Sequence, residues 1–162
     1  MDGQRWRPRH AAGLCGARTV ACTIQCTQAV ESGHSQRMLP LYRGRFMKIH
    51  RLYTDDKGQS HFEDVEIDYV ETTPAGRLSK RLPATGIIFR EVQPTYDLDW
   101  HNAPRRQYII NLDNGVQITA SDGEARTIGA GEVLLVEDTT GKGHLSKAVN
   151  ERVRNCIFVA LD

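Results

Sequence analysis

From Met47 onward the chain is a succession of short, alternating apolar runs, cut every few residues by Gly, Pro, Asp or Asn. No window after Met47 carries a long amphipathic stripe with caps at both ends, so helices are not available to cover a sheet. Strands without helices bury their apolar faces only against other strands, which means a sandwich or a closed barrel. The run Met47–Tyr53 reads as the opening strand, and Phe62, Val65, Ile67 and Tyr69 as the next, entered from the turn Asp55-Asp56-Lys57-Gly58. Gly86–Val92, bracketed by Pro83 and Pro94, and Arg106–Leu112 follow. The second of these reaches Asp113-Asn114-Gly115, an Asn-Gly hairpin signal. Val116, Ile118 and Ala120 then alternate with Gln117 and Thr119, the period of a strand with one buried face. After the turn Ser121-Asp122-Gly123 come Glu132–Val136, Ala148–Val149 and Val153–Leu161.

Residues 1–46 have a different texture. The run Arg5-Trp6-Arg7-Pro8-Arg9-His10 is basic, acidic residues are almost absent, and no period of 2 or 3.6 persists. The expectation is a disordered extension before a domain spanning 47–162, translated from a start upstream of Met47. An organelle transit peptide is the second reading, since the segment is rich in Arg. A secretory signal fails because Gly13, Gly16 and Arg18 interrupt any apolar core. Cys22-x3-Cys26 with Cys15 and His34 lacks the second ligand pair of a structural zinc site. Cys156 lies in an apolar strand as a small hydrophobe, so no disulfide framework is expected and a reducing, cytoplasmic setting follows.

Lys+Arg 21 against Asp+Glu 20 leaves a net charge of +1, which provides no field for nucleic acid or an anionic membrane. The body has no basic stripe interleaved with aromatics, and no run is apolar enough for a membrane helix.

Two stretches match a motif pair. His101-Asn102-Ala103-Pro104-Arg105-Arg106-Gln107 is set against G-x5-H-x-H-x3/4-E-x6-G, with His101 on the first histidine, Ala103 on the second, Gln107 on the glutamate and Gly115 on the closing glycine one residue late. Gly131–Val136, then a loop through Gly143, then His144 follows G-x5-P-x-G-x2-H-x3-N, with Glu137 where proline is usual and a longer loop. These residues resemble the cupin superfamily, and the resemblance implies a double-stranded β-helix, or jelly-roll barrel, with a polar pocket at its mouth. It also implies a homodimer and a divalent transition metal (Fe, Mn, Ni or Zn).

The metal set would be His101, His144 and Gln107. It is degenerate, because Ala103 cannot ligate and Gln107 offers only a neutral amide oxygen. Glu137, Asp138, His50 and His61 are the candidates for a missing donor. Without a metal, His101 and His144 become acid–base residues or simple pocket walls. Trp100 is either core or a pocket wall. Arg105, beside Arg106, could clamp an anion, with a solvated strand end as the alternative. The loop Thr139–Gly143 lacks P-loop spacing and reads as a rim that delivers His144. The function expected is a pocket for a small polar or anionic metabolite, either in an oxygenase- or isomerase-type enzyme or in a metal-free binding module. A structural protein with a spent pocket is the third possibility.

Overall fold

The computed structural model describes residues 46–162, all of them in strands, turns and loops. The expectations set on the preceding segment, including Cys15, Cys22, Cys26 and His34, lie outside the described residues.

Among the described residues, twelve strands are distributed over three sheets. The largest contains β1 (Lys48–Thr54), β2 (Ser60–Glu66), β5 (Gly86–Val92), β7 (Gln107–Asn111), β10 (Val133–Glu137) and β12 (Arg154–Ala160), in the order β2-β1-β10-β7-β12-β5. The second contains β6 (Asp97–His101), β8 (Val116–Ala120), β9 (Ala125–Ile128) and β11 (His144–Ala148), in the order β6-β11-β8-β9. A separate hairpin pairs β3 (Tyr69–Thr73) with β4 (Gly76–Ser79). The β1–β10 pair is parallel, and every other pair is antiparallel.

The all-β expectation holds. The closed barrel does not, because no ladder joins β5 to β6 or β2 to β9 among the described residues, and both large sheets keep two edges. Side chains bridge where backbone does not: Arg126 on β9 reaches Asp64 on β2 at 2.5 Å.

Period-2 patterning decides what faces inward. Val116, Ile118 and Ala120 are buried on β8 while Gln117 and Thr119 between them are not. They pack with Leu52, Phe62, Ile128, Leu134 and Val136, so residues of both large sheets share one core. Fully burying each of the larger side chains contributes about 1.5–3 kcal/mol. Register lays three rows across the inner face of the six-stranded sheet. Phe62, Leu52, Val136, Gln107 and Ala160 form one row. Leu134, Ile109, Phe158 and Ile88 form the next, and Asn111, Cys156 and Arg90 the third. The middle row is apolar and the outer two carry polar groups. Cys156 is buried, as its apolar strand implied, and burial pushes its thiol above the usual range.

Most strands read from the sequence overlap observed ones, but β4, β6 and β9 were not read. The strand read through Phe62, Val65, Ile67 and Tyr69 is divided between β2 and β3, and β11 was read only at its last residue, Ala148. The charged alternation Asp97-Leu98-Asp99-Trp100-His101 and the four-residue Ala125–Ile128 give weak local signals. The loop 139–143, read as a rim that delivers His144, leads directly into it, since His144 is the first residue of β11.

Candidate functional site

Between the two large sheets lies a cavity of about 350 Å³. His101, the last residue of β6, and His144, the first of β11, are cross-strand partners, and their ring centroids are 4.3 Å apart at a 55° tilt. Both line the cavity.

A bulge makes this possible. Leu98 pairs with Ser146 and His101 with His144, so three steps along β6 oppose two along β11. Strict alternation would put Leu98 and His101 on opposite faces, whereas the extra residue lets both face inward. Gly143 lets the strands approach this closely. Its φ is +69°, and a Cβ there would run into the His101 carbonyl. The buried Ser60 hydroxyl fixes the same crossing, donating to Gly143 O at 2.6 Å and accepting from Ser121 N at 2.7 Å.

Hydrogen bonds set the proton positions on both rings. The Asp99 carbonyl can only accept, so His101 Nδ1, 2.7 Å away, carries the proton and leaves Nε2 for the cavity. His144 Nδ1 lies 2.5 Å from Oδ2 of Asp138, a carboxylate with no exposed surface. An ionised Asp138 accepts that proton, and the Nε2 lone pair of His144 is left free. Asp138 Oδ1 is buried without a hydrogen-bond partner among the described residues. The Asp138 carbonyl meanwhile accepts from Ala103 N and Asn102 Nδ2, both at 3.2 Å, which anchors the 101–103 turn to the end of β10.

Gln107 and Ala103 are buried and line the cavity, as does Arg105, which stands exposed beside it. Arg106 does not. It is held outside by Glu137, with Nε at 2.9 Å and Nη2 at 2.5 Å. Trp100 is a correction: the same bulge turns it outward, it is half exposed, and it borders a separate surface pocket with Ser121 and Lys142 rather than the cavity.

The donor set does not fit a transition metal. Among the described residues no three His, Cys, Asp or Glu side chains converge, and Ala103 and Gln107 do not complete the histidine pair. Each candidate for a missing ligand is committed elsewhere. Asp138 holds His144. Glu137 is bonded to Arg51 and Arg106; burial raises its carboxyl, but the two guanidiniums outweigh that and hold it below its usual value. His61 lies between Asp55 and Asp122, at 3.1 and 2.7 Å. His50 contacts Asp64, Glu132 and Arg126.

Two site residues escaped the sequence reading. Asp138 was weighed only as a metal ligand, although its position six residues before His144 was a usable hint. Arg154, 4% exposed on β12, lines the cavity with nothing in its local sequence to mark it.

No family model matches the chain, and no curated protein matches it. Among solved structures, protein NMB1881 from Neisseria meningitidis is similar at 20% identity over 50% of this chain and 79% of its own, with a TM-score of 0.39. A conserved protein of unknown function from Streptococcus pyogenes, SPY1581, is similar at 13% identity over 85% of this chain and 97% of its own, also at 0.39. Superposition at that level carries no inference about this chain.

Proposed function

We propose that this protein is a small cupin-type enzyme that relocates a proton on a small metabolite held between its two large sheets, without using a bound metal. The observation that carries the reading is the buried Asp138–His144 pair beside the His101 ring, 4.3 Å away at the cavity wall. The convergence of His101 and His144, far apart in sequence yet paired across β6 and β11, also supports the cupin assignment.

The chemistry is an isomerisation or epimerisation at a carbon next to a carbonyl. His144 Nε2 takes the proton as the C–H bond breaks, and the electron pair is delocalised onto the carbonyl oxygen. Asp138 orients the ring and balances the imidazolium charge. A protonated His101 returns a proton from Nε2 to the neighbouring or opposite position, so the product is an isomer and no co-reactant is needed. Gln107 and Arg105 border the substrate as polar contacts.

Solvent deuterium exchange into candidate carbonyl metabolites, followed by proton NMR with protein stripped by a chelator, tests this reading. Exchange by metal-free wild type that is lost in His144→Gln and Asp138→Asn is expected. Exchange that requires added metal overturns the mechanism. Saturable ligand binding without exchange favours the binding-module alternative.

A homodimer fits the same reading. Strand β5 is an open edge of the six-stranded sheet and exposes Ile87, Ile88 and Phe89, an apolar edge of the kind that pairs with another chain.

A further inference from the structure

The cavity wall is charged in one sense only. Arg90, Arg105 and Arg154 line it, and among the described residues no Asp or Glu does. Arg154 is the telling one. It is 4% exposed, and it makes no ion pair among the described residues. Its one side-chain hydrogen bond runs from Nη1 to Asn111 Oδ1 at 2.8 Å. Asn111 has no exposed surface and donates Nδ2 to the Ile128 carbonyl at 2.8 Å, so its amide oxygen is committed to face the guanidinium. Four of the five guanidinium N–H donors have no partner among the described residues.

Arg90 stands close by. Its guanidinium lies 5.5 Å from the Tyr96 ring centroid and 5.4 Å from that of Phe158, and it makes no ion pair among the described residues either. The Tyr96 hydroxyl is in turn fixed on Ser146 at 2.7 Å. Burial, joined by repulsion from Arg90, pulls the Arg154 guanidinium below its usual range. The carboxylate felt most by Arg154, that of Asp113, is occupied by Asn155 through Oδ1 and Oδ2. Burying the Arg154 cation with no ion pair among the described residues is costly, and the exposed Arg90 guanidinium nearby adds repulsion to that cost. Such an arrangement is understood most simply as a receptor whose anion arrives with the ligand.

Position along the sheet gives the ligand its shape. Arg154 and Arg90 lie at the Asn111 end of β7, whereas Gln107 and the histidines lie at the other, with the apolar row of Ile109 and Phe158 between. Gln107 and Asn111 are separated by about 13 Å of strand. We infer that Arg154, oriented by Asn111 and assisted by Arg90, is the anchor for the carboxylate of a small acid with an apolar body, whose far end is presented to His101 and His144. This rests on the cavity being the substrate pocket of the function proposed above, and it names the substrate class.

The test is binding rather than turnover. Full-length protein is titrated calorimetrically with hexanoate and octanoate, with 1-octanol as the neutral analogue and inorganic phosphate as the other anion. Octanoate is expected to bind at least tenfold more tightly than 1-octanol, and at least tenfold more weakly to Arg154→Met. Arg154→Met removes an uncompensated buried charge and is expected to fold. Arg90→Met, expected to weaken octanoate severalfold, serves as the second variant should it not. Octanoate binding that depends on Arg154 in wild-type protein showing no proton exchange leaves the anchor standing, so the two readings fail separately. Equal affinity for the acid and the alcohol, or undiminished octanoate binding in Arg154→Met or, if that variant is unfolded, in Arg90→Met, overturns the inference. Binding of phosphate in preference to both acids overturns the carboxylate assignment.

Discussion

Replacing Gly143 with alanine tests whether the approach of β11 to His101 is what assembles the histidine pair. At φ +69° the new residue sits in the left-handed region, which costs a residue with a Cβ about 1–2 kcal/mol. Its Cβ would also overlap the His101 carbonyl, and that is backbone, so relief requires the two chains to part. Parting them strains the buried hydrogen bond from Ser60 Oγ to Gly143 O, worth about 1 kcal/mol. The combined loss is about 3 kcal/mol, and at roughly 4 °C per kcal/mol the midpoint falls by about 12 °C. Gly131→Ala is the matched control. Its φ is +78°, nothing lies near its added Cβ, and only the conformational cost applies, about 6 °C. Thermal unfolding of both variants by circular dichroism separates the two contributions. If Gly143→Ala loses no more than Gly131→Ala, the close crossing does not hold the site and the reasoning fails.

Four further outcomes are expected. Asp138→Asn keeps the shape of the site but removes the buried negative charge behind His144, so any proton exchange should fall by about 10²-fold or more at unchanged fold, measured by NMR and circular dichroism. His61 is held above its ordinary 6.5 by hydrogen bonds to Asp55 and then Asp122. It therefore stabilises the fold fully below that value and loses its contribution as pH rises through the higher folded-state value. Urea unfolding of wild type and His61→Gln across pH 5–9 should converge toward the alkaline end. Glu137 behaves in the opposite sense: its folded carboxyl is lowered from 4.5, so its contribution is present above that pH and disappears as pH falls through the lowered value. Glu137→Gln should consequently show a flatter acid limb in the same titration. Phe89→Asp on the exposed β5 edge should shift the mass measured by light scattering from dimer to monomer, and a wild-type monomer at high concentration would remove the homodimer proposal.

How much of this was legible in the sequence depends on how local each signal is. Alternation at Val116, Ile118 and Ala120 marks a strand and its buried face without outside help, because the side-chain period is a property of the strand itself. The Gly86–Val92 strand was legible from its apolar run bounded by Pro83 and Pro94, although every residue up to Glu91 is exposed. Motif spacing also singled out His101 and His144 before their pairing was visible. The bulge on β6 is different, since it exists only as a mismatch in step between β6 and β11, and it reverses the outcome for Trp100. Partner choice is equally invisible along the chain. Glu137 and Asp138 are adjacent carboxylates, yet one is taken by Arg51 and Arg106 on the outside and the other by His144 within.

The sequence alone determined that the region after Met47 is built of strands, and it singled out two histidines as candidates for a site, because both are written in short-range patterns. The tertiary structure alone decided that the sheets stay open and that Asp138 stands behind His144. It also decided that Arg154 is buried without an ion pair among the described residues. Those facts depend on which strands become neighbours and in what register, and no segment of the chain encodes that by itself.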